Sequence, residues 1–563
     1  MKVNRSSQPS TFIGRRYQDY PSTILRPHHG QLEVQLPDSP CYAGLQHGLK
    51  IPFTYYANAC LLPSETAANL IDPNQPCPSC QPPYPPPPSP DTSLAVGNQY
   101  AVAVTPGLAG QPNDIITIAY LGDDETTPPD PPSTRDLWPH LVQLDPASGT
   151  VFAPPLLLPP LAGNSGCTIN PDSGIALLEV PGQAGSLGQW LVVVADPPCQ
   201  SQMVNKTVVG VWFTQSLDLR ATAAPNPQSY LLWNSNDSNR VPHWAMTARN
   251  GDVDVAMVNG FPMIAITASQ ESDLNAVGIP TWNDVKIVSS AISSVPGNPE
   301  NDTLPGCTPL PSGWNCPQEV GPVFSARPRS VSLAPLPGGQ SGALLCSSDP
   351  PGFMGSPNIR IYQCGGGSNP QFFPASPQPQ LGPAVDTPGV FANTAPFIGK
   401  SVVRFVGGRA YIAYPSPTSG ACAGTIGVWY QTSSGPWSSF VIPTFDRAGG
   451  CGLGPWPTLD TDISFEDYGG HPTIAVLGWD GSSQSQSTTY VWHSCFIDPT
   501  YGCEWSYPPI KLTSERVLGS SDPAGGPSEA LLDYANSVTG LLQGRQDGLN
   551  VALTHYQISP PLQ

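Results

Sequence analysis

A short strand, a turn containing glycine and a second apolar strand recur along this chain, and that repetition leaves few architectures open. The copies read DTSLAVGNQYAVAVTPG from Asp91 and DSGIALLEV…GQWLVVVADPP from Asp172. DVDVAMVNGFPMIAITASQ starts at Asp252 and SVSLAPLPGGQSGALLCSSDPP at Ser330. SVVRFVGGRAYIAYPSP begins at Ser401, DISFEDYGGHPTIAVLGWDG at Asp462 and EALLDYANSVTG…GLNVALTHYQ at Glu529. Successive starts differ by 81, 80, 78, 71, 61 and 67 residues. Behind most pairs comes a third strand with an aromatic, as in TVVGVWFTQ, IRIYQC, TIGVWYQ and TTYVWHSC, and a further run usually follows. Each unit therefore offers about four strands. Strand units with regular turn punctuation indicate a sandwich, a barrel or a propeller. A long fixed period favours the propeller, where radial repetition leaves only short, protected edges. The expectation is an all-β chain with residues 91–563 as a β-propeller. Seven copies predict seven blades, with six or eight as the alternatives, since the last copy could complete a blade with N-terminal strand material. Residues 1–90 read as a non-repetitive, proline-rich N-terminal arm.

Composition supports strands over helices. Of 563 residues, 72 are proline and 55 glycine, while only 11% are charged. Proline removes a backbone donor and clashes inside helices, so dense proline favours turns, loops and strand edges. The formal net charge is −19, and Arg15-Arg16 is the densest basic pair. A phosphate-binding surface needs basic clusters, so nucleic acid and anionic membrane are not expected partners. No apolar run approaches the length of a membrane-spanning helix. The N-terminus, MKVNRSSQPSTFIGRRYQDY, lacks the apolar core of a signal peptide.

The cysteines nevertheless point outside the cell. Fourteen occur, an even number, and they fall in sequential pairs: Cys41/Cys60, Cys77/Cys80, Cys167/Cys199, Cys307/Cys316, Cys346/Cys364, Cys422/Cys451 and Cys495/Cys503. CFIDPTYGC reads as a hairpin tip, and Cys346 and Cys364 end adjacent strand-like runs. Local disulfides between neighbouring strands fit this spacing and imply an oxidising compartment. Connectivity does not follow from sequence, least of all among Cys41, Cys60, Cys77 and Cys80. Zinc is the rival reading of Cys77-Pro-Ser-Cys80, but a structural site wants four ligands and no second CxxC exists. Sequons at Asn4, Asn205, Asn236 and Asn301 permit glycosylation. An extracellular, cell-surface or virion-surface location is therefore expected, with any leader outside the given numbering.

Two resemblances follow from quoted residues. CPSCQPPYPPPPSP, residues 77–90, resembles hydroxyproline-rich matrix proteins of algae and plants, which implies an extended spacer or docking surface. DTSLAVGNQYAVAV resembles the opening of secreted propeller repeats, and HPTIAVLGWDG resembles the strand pair of sialidase-like propellers. The sialidase resemblance implies three arginines for a carboxylate, a Tyr/Glu nucleophile pair, an acid Asp and S-x-D-x-G-x-T-W boxes. SNDSNRVPHW near Trp244 and TSSGPWSSF near Trp437 miss the Asp and Gly of that box. Arg329, Arg404 and Arg516 begin or follow strands in separate units and could converge.

Other chemistry is sparse. A two-carboxylate glycosidase needs its acids several ångströms apart in a cleft. Asp460, Asp462, Glu466 and Asp467 are the densest set, and Asp252 with Asp254 alternates onto one strand face. Solvated turn acids are the simpler reading of both groups. For an enzyme, Asp462, Glu466 and Arg404 are the catalytic candidates. Asp123-Asp124-Glu125 could take Ca2+, but D-x-[DN]-x-[DN]-G is missing, which favours a plain acidic loop. No cofactor is otherwise expected. Neither HExxH nor a G-x-S-x-G elbow occurs. Trp138, Trp244, Trp314, Trp456 and Trp505 fall in proline-, glycine- or cysteine-rich stretches, suited either to stacking on a ligand or to packing between blades. Trp138, Trp244 and Trp456 are the ligand-binding candidates. The leading expectation is an extracellular recognition or assembly scaffold with a protein or glycan partner. A secreted glycoside hydrolase or lyase of sialidase-like type and a propeller lectin are the alternatives.

Overall fold

The structure is a computed structural model. It describes the 29 strands named below, with the flanking residues 158–159, 174, 181–182, 188, 214–220, 226–227, 252, 259–260, 290–296, 313–315, 336–342, 365–367, 370–371, 401 and 407–408. Among the described residues there is no helix.

The strands group into seven antiparallel sheets in chain order. The first holds β2 (Tyr100–Thr105), β3 (Ile115–Asp123), β4 (Leu137–Leu144) and β5 (Leu156–Leu157), and β1 (Leu61–Pro63) precedes it in the chain. The second holds β6 (Ile175–Val180), β7 (Gln189–Ala195), β8 (Val209–Phe213) and β9 (Gln228–Trp233). The third holds β10 (Trp244–Ala245), β11 (Val253–Val258), β12 (Phe261–Gln270), β13 (Asn283–Ser289) and β14 (Gln318–Val320). The fourth holds β15 (Ser330–Pro335), β16 (Ala343–Asp349), β17 (Asn358–Cys364) and β18 (Phe372–Pro374). The fifth holds β19 (Val402–Val406), β20 (Arg409–Pro417), β21 (Gly424–Gln431) and β22 (Trp437–Pro443). The sixth holds β23 (Ile463–Tyr468), β24 (His471–Asp480), β25 (Ser483–His493) and β26 (Ile510–Lys511). The last holds β27 (Glu529–Asp533), β28 (Thr539–Asp547) and β29 (Asn550–Ile558). Its fourth strand is β1, paired Leu61 to Ile558 and Pro63 to Tyr556. A segment inside the stretch read as an arm thus completes the final sheet.

Strands that neighbour in a sheet run antiparallel, and the first hairpins of the third and fifth sheets close through two residues each, 259–260 and 407–408. At Asn259-Gly260 both residues have positive φ, 55° and 82°, as a two-residue hairpin matched to strand twist requires. Asn259 tolerates that conformation because its amide is used: Oδ1 accepts from Gly342 N at 2.6 Å, and Nδ2 donates to the Gly365 and Gly367 carbonyls, each at 3.1 Å.

The first strands form a closed ring, with β2 beside β6, then β11, β15, β19, β23, β27 and β2 again. Apolar layers fill the space between successive sheets. Trp190, Trp212, Leu141 and Leu177 lie between the first and second sheets. Val255, Ile264, Tyr230 and Trp314 lie between the second and third. Leu333, Leu345 and Phe372 face the third sheet, while Cys346, Ile361 and Tyr414 join the fourth to the fifth. Buried indoles carry their own acceptors: Trp190 Nε1 donates to Leu217 O at 2.8 Å and Trp212 Nε1 to Pro159 O at 2.7 Å. These layered sheets around a ring are a β-propeller, as the repeat spacing predicted.

The disulfide expected between Cys346 and Cys364 is corrected. Neither cysteine is disulfide-bonded and both are buried, with Cys346 Sγ 3.3 Å from Ser401 Oγ. In the β16–β17 register Cys346 opposes Ile361 and Cys364 opposes Ala343. The two side chains occupy layers on opposite faces of the sheet, and no side-chain rotation brings them together. Burial pushes the Cys364 thiol up to about 11. The other six expected pairs, Cys41–Cys60, Cys77–Cys80, Cys167–Cys199, Cys307–Cys316, Cys422–Cys451 and Cys495–Cys503, lie outside the described residues. So do the sequons at Asn4, Asn205, Asn236 and Asn301.

Candidate functional site

The free edge of each first strand points toward the centre of the ring, since its other edge is taken by its hairpin partner. Inward N–H groups left without a partner would be costly. Between the third and fifth sheets, side chains of one first strand satisfy those of the next. Asp252 Oδ2 accepts from Val331 N at 3.0 Å and Asp254 Oδ2 from Leu333 N at 2.7 Å. Ser330 Oγ accepts from Ser401 N at 2.8 Å and Ser332 Oγ from Val403 N at 3.1 Å. The sequences DVD and SVS place these oxygens two residues apart, on one face of their strand. Asp252 is buried and Asp254 half-buried, so the reading of this pair as solvated turn acids is corrected.

Arg404 joins the same place by an indirect route. Its neighbour Val403 faces the fourth sheet, while Val402 and Val406 face the sixth. Strand alternation therefore starts the Arg404 side chain toward the sixth sheet. Its Nη1 nevertheless donates to Ser332 Oγ at 3.3 Å and to Val403 O at 2.9 Å. With β20 on the other side of β19, the chain reaches those acceptors around the free inner edge. The guanidinium thus reaches the inner edge, where its charge acts on the Asp254 carboxylate.

Two opposing influences act on Asp254. Desolvation raises its proton affinity and prevails, while the Arg404 charge and hydrogen bonds from Leu333 N, Val255 N and Ser332 lower it. Val255 N donates to Oδ1 at 2.8 Å, so both carboxylate oxygens are held by backbone amides. The result is a fixed carboxyl group with raised pKa next to a cation, an arrangement suited to giving up a proton to a bound ligand.

The sequence candidates fall around this pair unevenly. Glu466 lies on β23 two residues before the hairpin pair Tyr468–His471, the register position that Arg404 holds before Val406–Arg409 on β19. Asp462, Asp460, Arg329 and Arg516 lie outside the described residues. Trp244 is on β10, which pairs with Gln270 along the same edge of β12 that carries β11, toward the end where Asp252 sits. Trp138 is on β4, opposite Gly122, so neither tryptophan is in a loop. Trp314 is buried and donates from Nε1 to Tyr230 Oη at 2.9 Å, which makes it packing. Trp456 and Trp505 lie outside the described residues. Of the acidic loop 123–125 only Asp123 is described, at the end of β3, and no group of three metal-ligating side chains occurs among the described residues.

One box-like turn carries no glycine to mark it in the sequence. Ser216-Leu217-Asp218 follows β8 and fits the start of the S-x-D-x-G box, with Arg220 in the glycine place. Asp218 Oδ1 accepts from Arg220 N at 2.9 Å and Arg220 Nε at 2.8 Å, and Asp218 N donates to Ser216 Oγ at 3.2 Å. The turn is also tied to the first and second sheets, since Leu217 O accepts from Trp190 Nε1 at 2.8 Å and Gln143 Nε2 at 2.6 Å, and Leu219 N donates to Gln143 Oε1 at 3.0 Å, which makes it structural.

No family model matches the chain, and no curated protein matches it. Solved structures do. An α-L-arabinanase of Penicillium chrysogenum complexed with arabinobiose is 9% identical, covering 83% of this chain and 97% of that one, at a TM-score of 0.39. A GH93 α-L-arabinofuranosidase of Fusarium graminearum is 10% identical over 83% and 93%, at 0.37. A Trypanosoma rangeli sialidase in complex with the inhibitor DANA is 10% identical over 69% of this chain, at 0.38, and this chain spans about half, 55%, of that one. These are β-propeller likenesses. The expectation of a recognition or assembly scaffold is corrected to the glycoside-hydrolase alternative taken up below: the similar structures include sialidases, an arabinanase and an arabinofuranosidase, beside AofleA of Arthrobotrys oligospora. Among the described residues no helix is long and apolar enough to cross a membrane.

Proposed function

We propose that this protein is a glycoside hydrolase working at the centre of its ring of first strands, with a glycan as substrate. The observation that carries the reading is the meeting of Asp254 and Arg404 at the free inner edges of β11 and β19. Glycosidic cleavage needs a proton for the leaving oxygen and a second carboxylate for water or the sugar carbon. Asp254 supplies the proton, because desolvation keeps it protonated to higher pH than an exposed aspartate. Arg404 holds an oxygen of the sugar and stabilises charge there. Glu466, at the register position on β23 that Arg404 holds on β19, is the residue to test as the second carboxylate.

The test is a hydrolysis screen over aryl glycosides, arabino-oligosaccharides and sialyl-oligosaccharides, with Asp254→Asn beside the wild type. The asparagine keeps an acceptor for Leu333 N but carries no transferable proton. Turnover by the wild type and loss of about 100-fold or more in the variant is expected for a general acid. Equal turnover by a folded Asp254→Asn protein would remove Asp254 from the mechanism.

A further inference from the structure

We infer that Ser332 is a positioning residue of this site, its one hydroxyl proton directed onto Asp254 because both of its acceptor directions are occupied from β19. The inference rests on the reading of Asp254 and Arg404 as the working pair. A serine hydroxyl has one proton to give and two lone pairs to receive with. At Ser332 the lone pairs meet two donors from the next sheet, Val403 N at 3.1 Å and Arg404 Nη1 at 3.3 Å. The residue is 3% exposed, which leaves little water to compete for the proton. Asp254 is the acceptor that remains, and a Ser332 hydrogen bond lowers its proton affinity against the larger effect of desolvation.

The consequence is a three-sheet relay. Arg404 acts on Asp254 through its charge and also through the hydroxyl that it helps to orient. Ser332 holds the aspartate in its ionised form more firmly than burial alone would, so the proton is available rather than locked in place. The other charged or titratable groups on the elements packed here are Asp252, two residues earlier on the same face, Glu179 on β6, Cys346 and Asp349 on β16, Arg409, Tyr411 and Tyr414 on β20, and Glu466, Asp467 and Tyr468 on β23, with Tyr362 and Cys364 in the layer between the third and fourth sheets. Cys364, raised to about 11, stays neutral through the acid range.

The experiment is a 13C NMR titration of protein labelled at the aspartate carboxyl carbon, with the Asp254 signal assigned by its loss in Asp254→Asn. Wild type, Ser332→Ala and Ser332→Thr are compared. The midpoint of Asp254 should move to higher pH in Ser332→Ala and stay in place in Ser332→Thr, which restores the hydroxyl. An unmoved midpoint in Ser332→Ala would overturn the inference, as would a threonine variant that shifts as far as the alanine one. If Ser332→Ala does not fold, Ser332→Cys replaces it. Its weak S–H donor should also shift the midpoint upward, and an unmoved midpoint there counts equally against the inference. Because the readout is a titration and not turnover, the role of Ser332 is decided even in a protein that hydrolyses nothing in the screen.

Discussion

Replacing Ser330 by alanine should separate the fourth and fifth sheets at their inner edges by removing one acceptor. Ser330 Oγ lies 2.8 Å from Ser401 N and 3.3 Å from Ser401 Oγ, and the residue is 0% exposed. Without it the Ser401 amide faces the inner edge with no acceptor from β15. A buried donor left unsatisfied costs about 1–3 kcal/mol, and the small volume change of Ser to Ala adds little. The expected loss is therefore about 1–3 kcal/mol in urea unfolding at unchanged slope, since the same surface is exposed on unfolding. Gln371, exposed on the approach to β18, is the control, and Gln371→Ala should stay within about 0.5 kcal/mol of wild type. Amide exchange gives a local readout: Ser401 N–H should lose protection in Ser330→Ala more than Ala413 or Ile412 in the adjoining β20. A Ser330→Ala protein as stable as the control, with Ser401 protection intact, would refute the clasp between first strands.

Gly427→Ala should destabilise by about 1–3 kcal/mol as an overpacking change, because an added Cβ collides with the Tyr414 ring that lies over this glycine across β20 and β21; unchanged thermal stability would sink that reading. Thiol labelling of the unfolded, unreduced protein followed by peptide mapping should find Cys346 and Cys364 labelled, and native protein should protect both; recovery of a Cys346–Cys364 cross-linked peptide would contradict the register of β16 and β17. Burial raises the Glu179 carboxyl above its ordinary 4.5, so its favourable contribution is fully present below pH 4.5 and is lost as pH rises through the folded value. Wild type should therefore lose stability relative to Glu179→Gln as pH rises from about 4, and the reverse trend in melting temperature would show that a favourable partner, not desolvation, governs this group.

Much of the architecture was readable from strand pattern, because the paired runs at Asp252, Ser330, Ser401 and Asp462 each begin a sheet whose first hairpin the sequence displays. The closure of the last sheet by Leu61–Pro63 was foreseeable only as an alternative, since three residues carry no periodicity of their own. Pairing of Cys346 with Cys364 looked natural from the ends of two adjacent runs. Register decided otherwise, and a displacement of three residues put the thiols on opposite faces. The site was harder still. Asp252 and Asp254 were visible as an alternating pair, yet their partners are backbone amides of a strand 79 residues away, and no local pattern encodes that. Arg404 was expected to begin or follow a strand and lies inside β19, and its approach to Ser332 around a free edge is a property of the closed ring.

The central claim is that Asp254, steadied by the neighbouring first strands, gives a proton to a glycan at the middle of the propeller. The most direct measurement is the pH–rate profile of wild type and Asp254→Asn on whichever glycoside the wild type cleaves, with folding of the variant checked by thermal denaturation. The account predicts a basic limb in the wild-type kcat/KM profile at the pH where Asp254 ionises by NMR, and loss of that limb with most of the activity in the variant. A profile whose basic limb persists in Asp254→Asn, or a wild type that cleaves no glycoside in the panel, would contradict it.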